Sequence, residues 1–143
     1  MLLNVLMQLG NTRRMQLVLT AGSEHYDVIR EGLQQFGASV AARKETIVTA
    51  TESLHRVMEL LDTGLASSSV TVDLAFDEYN LDLDVSYDGQ AIVLVKTRPD
   101  HETVLNDPTG LAQLSSWLLS RRADRIRVKT AGERCHVLLR LAN

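Results

Sequence analysis

Apolar residues recur at two periods along this chain. A period of two runs through Val70, Val72, Leu74 and Phe76, separated by Thr71, Asp73 and Ala75. It runs again through Leu81, Leu83, Val85 and Tyr87, separated by Asp82, Asp84 and Ser86. Such alternation marks antiparallel strands with one buried face. Glu78, Tyr79 and Asn80 turn the chain between them. Asp88-Gly89 reads as a tight hairpin, after which residues 91–95 are expected to return as a third strand. Met15, Leu17 and Leu19 predict a short strand before these. Ile126 and Val128, set between Arg125, Arg127 and Lys129, predict one after them. Cys135, Val137, Leu139 and Leu141 line the inner face of the last strand, which follows a turn at residues 131–134.

The helical period appears three times. Tyr26, Ile29, Leu33 and Phe36 form one stripe, with Ser23 as its cap, Glu24 in its first turn and Gly37 as its stop. Ile47, Thr51, Leu54, Met58 and Leu61 form the seam of a longer helix over about residues 41–62, which Thr63-Gly64 ends. Leu111, Leu114 and Leu118, with Trp117 beside them, predict a third helix whose stripe packs inward. Pro108 and Gly110 make its mouth a loop-to-helix junction whose free amides could face an anion. Residues 96–108 show no clean period and hold both prolines, so they form a long connection or lid, with at most one helical turn.

The first ten residues are mostly apolar, and Arg13-Arg14 follows. The run is too short to span a bilayer, which takes about 20 apolar residues. Two readings stand for it. One is the cytoplasmic end of a membrane helix, because apolar residues followed by arginines obey the positive-inside rule. The other is an amphipathic or strand-like edge piece packed on the domain. The chain therefore divides into residues 1–14, an apolar-then-basic segment, and residues 15–143, a single domain. Strand, helix, helix, three strands, loop, helix, two strands is the order of an α/β two-layer sandwich: a mixed, largely antiparallel sheet with helices on one face.

Composition changes this picture little. A chain of 143 residues with 45% hydrophobic and 23% charged residues suits one soluble globular domain. A net charge of −3 supplies no global basic field for nucleic acid, and 4% aromatic content supplies few stacking platforms. Cys135 stands alone, which excludes an internal disulfide. As a small core residue it makes no catalytic pair with His136, because neighbouring strand residues point to opposite faces.

Candidate chemistry lies in two places. Glu52, His55 and Glu59 are spaced to share a metal ion along one helix flank, or simply to form a solvated helix edge. Asp73, Asp77, Asp82 and Asp84 suggest cation binding. Cross-strand pairing with Arg125, Arg127, Lys129, Arg134 and Arg140 explains them better, if all share one open face. No serine–histidine–aspartate or cysteine–histidine set is recognisable by spacing.

The layout resembles the GHKL ATPase fold, in the small form of anti-sigma-factor serine kinases, over roughly residues 39–143. The helix carrying Thr51-Glu52-Ser53-Leu54-His55-Arg56 sits where that family has its Glu-x-x-x-Asn box. Tyr87-Asp88-Gly89-Gln90-Ala91 sits at its Asp-x-Gly-x-Gly hairpin, and Gly110 at its second glycine box. The resemblance implies Glu52 in the place of the general base. It puts Arg56 in place of the magnesium-binding asparagine and Tyr87 in place of the adenine-binding aspartate; Asp88 and Gly89 complete the hairpin. A guanidinium has no acceptor to ligate a cation, and Arg56 is placed to pair with Glu52 one turn away. The resemblance thus implies a degenerate nucleotide pocket of Glu52, Arg56, Tyr87, Asp88, Gly89 and Gly110, without catalytic residues, metal or cofactor and without turnover of ATP and magnesium.

The whole chain also resembles the C-terminal cytoplasmic extension of some bacterial xanthine/uracil permeases of the nucleobase:cation symporter family. The resemblance is carried by the apolar-then-basic start, the turn Asp77-Glu78-Tyr79-Asn80-Leu81 and the Tyr87-Asp88-Gly89 stretch. It implies a non-catalytic regulatory or assembly domain on the cytoplasmic face of the inner membrane. Its partner is then the membrane part of a permease on the same parent chain, and this fragment is soluble. Two other readings stand beside it. One is a nucleotide-binding switch or anti-sigma-factor-type serine kinase. The other is a stand-alone interaction module, homodimeric through residues 2–9.

Overall fold

Among the described residues the alternating segments pair into one six-stranded sheet whose neighbouring strands are all antiparallel. The computed structural model describes residues 7–9, 12–22 and 24–143. In chain order the strands are β1 (Met7–Leu9), β2 (Thr12–Thr20), β3 (Ala66–Phe76), β4 (Asn80–Gly89), β5 (Arg125–Ala131) and β6 (Arg134–Ala142). The helices are α1 (Tyr26–Val40), α2 (Lys44–Leu60), α3 (His101–Asn106) and α4 (Gly110–Arg122). In space the sheet runs β1-β2-β3-β4-β6-β5. The last strand is thus inserted beside β4, and β5 takes the edge.

One face of the sheet makes the core. Met15, Leu17 and Leu19 of β2, the even-numbered residues 70–76 of β3, the odd-numbered residues 81–87 of β4 and Cys135, Val137, Leu139 and Leu141 of β6 are all buried. They meet Ile29, Leu33 and Phe36 from α1, Leu54, Val57 and Met58 from α2, and Leu119 from α4 in one cluster. The two-layer sandwich is therefore as expected, but the described strands form a purely antiparallel sheet and not a mixed one.

Several local expectations need correction. Residues 91–95 are not a strand. The place beside β4 goes to β6, which matches it over nine residue pairs from Asn80↔Ala142 to Asp88↔Arg134. Five residues after a tight turn cannot compete with that register. Asp88-Gly89 is accordingly no hairpin: Gly89 ends β4 at φ 151°, and an added Cβ would lie 1.9 Å from the Leu65 carbonyl oxygen. Gly37 does not stop α1. It lies inside the helix where the Ile47 side chain of α2 crosses, and Ala41, in the left-handed region, ends the helix instead. The cap proposed at Ser23 falls outside the described residues; the residue preceding α1 is His25, whose side chain makes no capping bond.

The α4 stripe is also rotated from the expected one. Leu111 is 70% exposed, while Gly110, Ser116 and Leu119 are buried. The inward line is small residues plus one leucine, so the leucine count misleads. Trp117 is half-buried, with the guanidinium carbons of Arg98 and Arg121 lying 5.4 and 5.6 Å from its ring centre. The lid does contain its one helical turn, α3, capped by Asp100 accepting from the Thr103 N–H at 2.7 Å.

At the start of the chain, Met7–Leu9 pairs with Thr12, Arg13 and Arg14 as an edge strand. Arg13 and Arg14 therefore belong to the sheet. The remaining part of the proposed membrane-helix end, residues 1–6, 10 and 11, falls outside the described residues. Among the described residues no helix is long and apolar enough to cross a membrane.

Candidate functional site

Six residues carried the expected pocket, and each has an internal structural role. Tyr87 faces the core from β4 and is fully buried. Its hydroxyl donates to the Gln90 carbonyl at 2.7 Å. Burial, with Cys135 beside it, pushes its pKa up to about 12. The Cys135 thiol donates to the Gly89 carbonyl at 3.3 Å. Tyr87 and Cys135 thus lock the chain where it leaves the sheet. Gly89 belongs to the same lock: the Gln90 N–H donates to the Leu65 carbonyl at 2.8 Å, which brings the two backbones together. Asp88 is exposed, 3.4 Å from Arg134 on the open face.

Glu52 and Arg56 do not pair with each other. Glu52 reaches across to Arg122 at the end of α4, tying the two helices. Arg56 pairs with Glu59 at 3.4 Å, and His55 shares that carboxylate at 3.0 Å. The reason is geometric: α4 packs along α2 and delivers a second guanidinium to Glu52 from outside the helix. Gly110 is no open phosphate loop either. It is buried where α4 crosses α3, and a Cβ there would lie 2.1 Å from the Thr103 carbonyl oxygen. Just ahead of it the Asp107 carboxylate accepts from the Thr109 N–H and hydroxyl, both at 2.8 Å. Those bonds hold Asp107 below the usual carboxylate range. A negative group already sits where an anion would approach.

Arg56, with donors only, does not suit a cation. Among the described residues no group of three or more histidine, cysteine, aspartate or glutamate side chains is placed to hold a metal. The proposed Glu52–His55–Glu59 flank is split, since Glu52 turns to α4 and His55 to Glu59.

Two constellations were not anticipated. The first joins α1 to the wide turn at Leu61–Leu65. The buried His25 bonds through Nε2 to Asp62 at 2.9 Å, and the other Asp62 oxygen accepts the Gly22 N–H at 2.7 Å. His55 stacks edge-on near His25 and Tyr26, with ring centres 6.0 and 4.9 Å away. A histidine–carboxylate dyad can serve as a base, but His25 is only 6% exposed and its Nδ1 has no partner among the described residues. It is a tether between helices. No sequence spacing signals it, because the partners are 37 residues apart.

The second is the open face of the sheet. A concavity of about 740 Å³ there is bordered by Arg14 on β2, by Arg125 and Arg127 on β5, and by Asp73, Asp82, Asp84 and Arg140 between them. Arg140 makes a fork to Asp82 at 2.8 and 3.0 Å, which raises its pKa further, and His136 meets Asp84 at 2.9 Å. Among the described residues the expected cross-strand pairing thus forms for Arg134 and Arg140, but not for Arg125, Arg127 or Lys129. A second, shallower hollow of about 490 Å³ lies between Ile92, Leu94 and β5. Neither hollow is lined by the six expected residues. No known family model matches this chain, and no curated protein matches it in sequence.

Proposed function

We propose that this domain works by binding rather than turnover, as a regulatory or assembly domain on the cytoplasmic side of a bacterial xanthine/uracil permease. One observation carries the non-catalytic part. The positions of the general base and of the adenine-binding aspartate in a GHKL-type pocket are occupied with internal contacts: Glu52 holds Arg122, and Tyr87 is buried with its hydroxyl bonded to Gln90. A base neutralised by a guanidinium is a poor proton acceptor. A phenol sealed in the core has no exposed acceptor for a base edge. The GHKL-like order of α2, the end of β4 and the start of α4 supports a shared ancestry of shape, with the pocket converted into struts.

The attachment to a permease rests on the resemblance of the N-terminal segment and of the turns at residues 77–81 and 87–89. Two measurements test the proposal. Calorimetric titration with ATP and ADP, with and without magnesium, should give no heat at millimolar nucleotide; binding that strengthens with magnesium moves the reading to a nucleotide switch. Antibodies against the domain should detect, in the membrane fraction of the native cell, a protein much larger than this 15.9 kDa chain. A soluble band of that small size sinks the permease assignment.

A further inference from the structure

We infer that the open face of the sheet is a docking trough for an acidic, extended protein segment, gripped by Arg14 on one rim and by Arg125 and Arg127 on the other. The argument starts from charge. The concavity is bordered by four arginines and three aspartates, whereas the chain as a whole carries −3. The acids are already engaged: Asp82 by Arg140, Asp84 by His136, and Asp73 by the Gln16 amide at 2.9 Å. The three rim arginines are exposed, and among the described residues none of their side chains has a hydrogen bond or an ion pair. Three guanidinium forks, each shaped to take a carboxylate in two parallel bonds, thus face one trough with nothing to hold.

The spacing selects an extended segment. β2 and β5 are separated by β3, β4 and β6. Four strand spacings of about 4.8 Å set the rims about 19 Å apart. A single small anion cannot reach both. An extended chain rising about 3.3 Å per residue covers the span in about six residues. Between the rims the floor offers Ala75 and Leu138, both half-buried. The complementary segment is acidic at its two ends and apolar in the middle.

A second copy of the chain fits poorly. Stacking two such faces about a two-fold axis along the strands lays β2 over β5, and an axis across the strands lays each rim over its own mate. Arginine meets arginine either way, and like charges placed opposite one another oppose association. The inference concerns a surface on the far side of the sheet from the helices. It stands whether or not the domain is carried by a permease.

The test uses the intact domain and a fluorescent seven-residue peptide with two glutamates at each end and alanine and leucine between. Anisotropy at low salt should show binding that weakens as ionic strength rises through the screening range. The same peptide with lysines for glutamates should not bind. R125E/R127E and R14E, all at exposed positions, should keep the wild-type circular dichroism and each lose about tenfold or more in affinity. Loss in both variants places the peptide across the trough. The inference is overturned if the acidic peptide fails to bind, or if the lysine peptide binds equally. It is also overturned if both variants bind as the wild type does, or if the domain sediments with phosphatidylglycerol vesicles through these arginines while ignoring the peptide.

Discussion

Tyr87 shows how one residue can matter structurally where a ligand contact was expected. In the fold its pKa stands near 12 instead of the ordinary 10. Below pH 10 the phenol is neutral in both folded and unfolded chains. Between pH 10 and 12 the unfolded chain ionises first, so stability falls by about 2–3 kcal/mol across that window. Urea unfolding at pH 9 and pH 11.5 should reveal the loss, and Tyr87→Phe should remove this part of it. At neutral pH the same variant costs about 1 kcal/mol, since the Gln90 carbonyl loses its donor. Two glycines separate a rigid site from a yielding one. Gly89→Ala drives a Cβ into the Leu65 backbone where the chain enters β3 and should cost about 3 kcal/mol. Gly110→Ala meets the backbone of α3, a helix with no buried residue that can shift, and should cost nearer 1 kcal/mol. Denaturant midpoints rank the two; equal losses contradict the argument. At this scale the sequence was least legible. Glu52 has Arg56 one turn away, yet its partner is Arg122, brought from 70 residues downstream by helix packing.

Elements were easier to read than contacts, and the exceptions have one cause. Period-two alternation located β3, β4 and β6 because each buries one face against a shared helical layer. Residues 91–95 misled because short apolar runs carry no information about which neighbour wins the place beside β4. Ile92 does bury, but as a loop residue. Ser116 holds that loop to α4, donating to the Val93 carbonyl at 2.7 Å and accepting from the Val95 N–H at 3.0 Å. Leu111 and Trp117 misled in the same way, since α4 packs through Ser116 and Leu119. The arginines of β5 were placed on the open face correctly, but alternation could not say that β5 becomes the edge, away from the aspartates of β4. The stretch from residue 96 through α3 to residue 109 has few apolar anchors. It should therefore open locally without unfolding the sheet. Hydrogen exchange followed by mass spectrometry should show its amides exchanging orders of magnitude faster than those of β4 and β6. Equal protection would mean that the lid is a cooperative part of the core.

The sheet and the helical layer are joined through β6 and Asn143. β6 lies between β4 and β5, so it alone joins the edge strand to the rest of the sheet. Asn143 then fastens three elements. Its Oδ1 accepts from the Arg43 N–H at 2.9 Å and from the Thr46 hydroxyl at 3.2 Å, its Nδ2 donates to the Glu78 carbonyl at 3.0 Å, and its N–H donates to the Tyr79 carbonyl at 2.9 Å. Arg43 stands at the N-cap of α2 without an oxygen of its own to cap it. Asn143 supplies that oxygen from 100 residues away, on a helix whose side chains fill the centre of the core. Asn143→Ala keeps the backbone bond to Tyr79 but removes the three side-chain bonds, two of them to backbone groups at the helix start and at the β3–β4 turn. The expected cost is about 2 kcal/mol. The loss should be global, because α2, β4 and β6 share one core. Far-UV circular dichroism and Trp117 fluorescence, which reports on α4, should therefore shift together to lower denaturant. A shift seen by circular dichroism alone would mean that α2 frays at its start while the sheet and α4 stand without it.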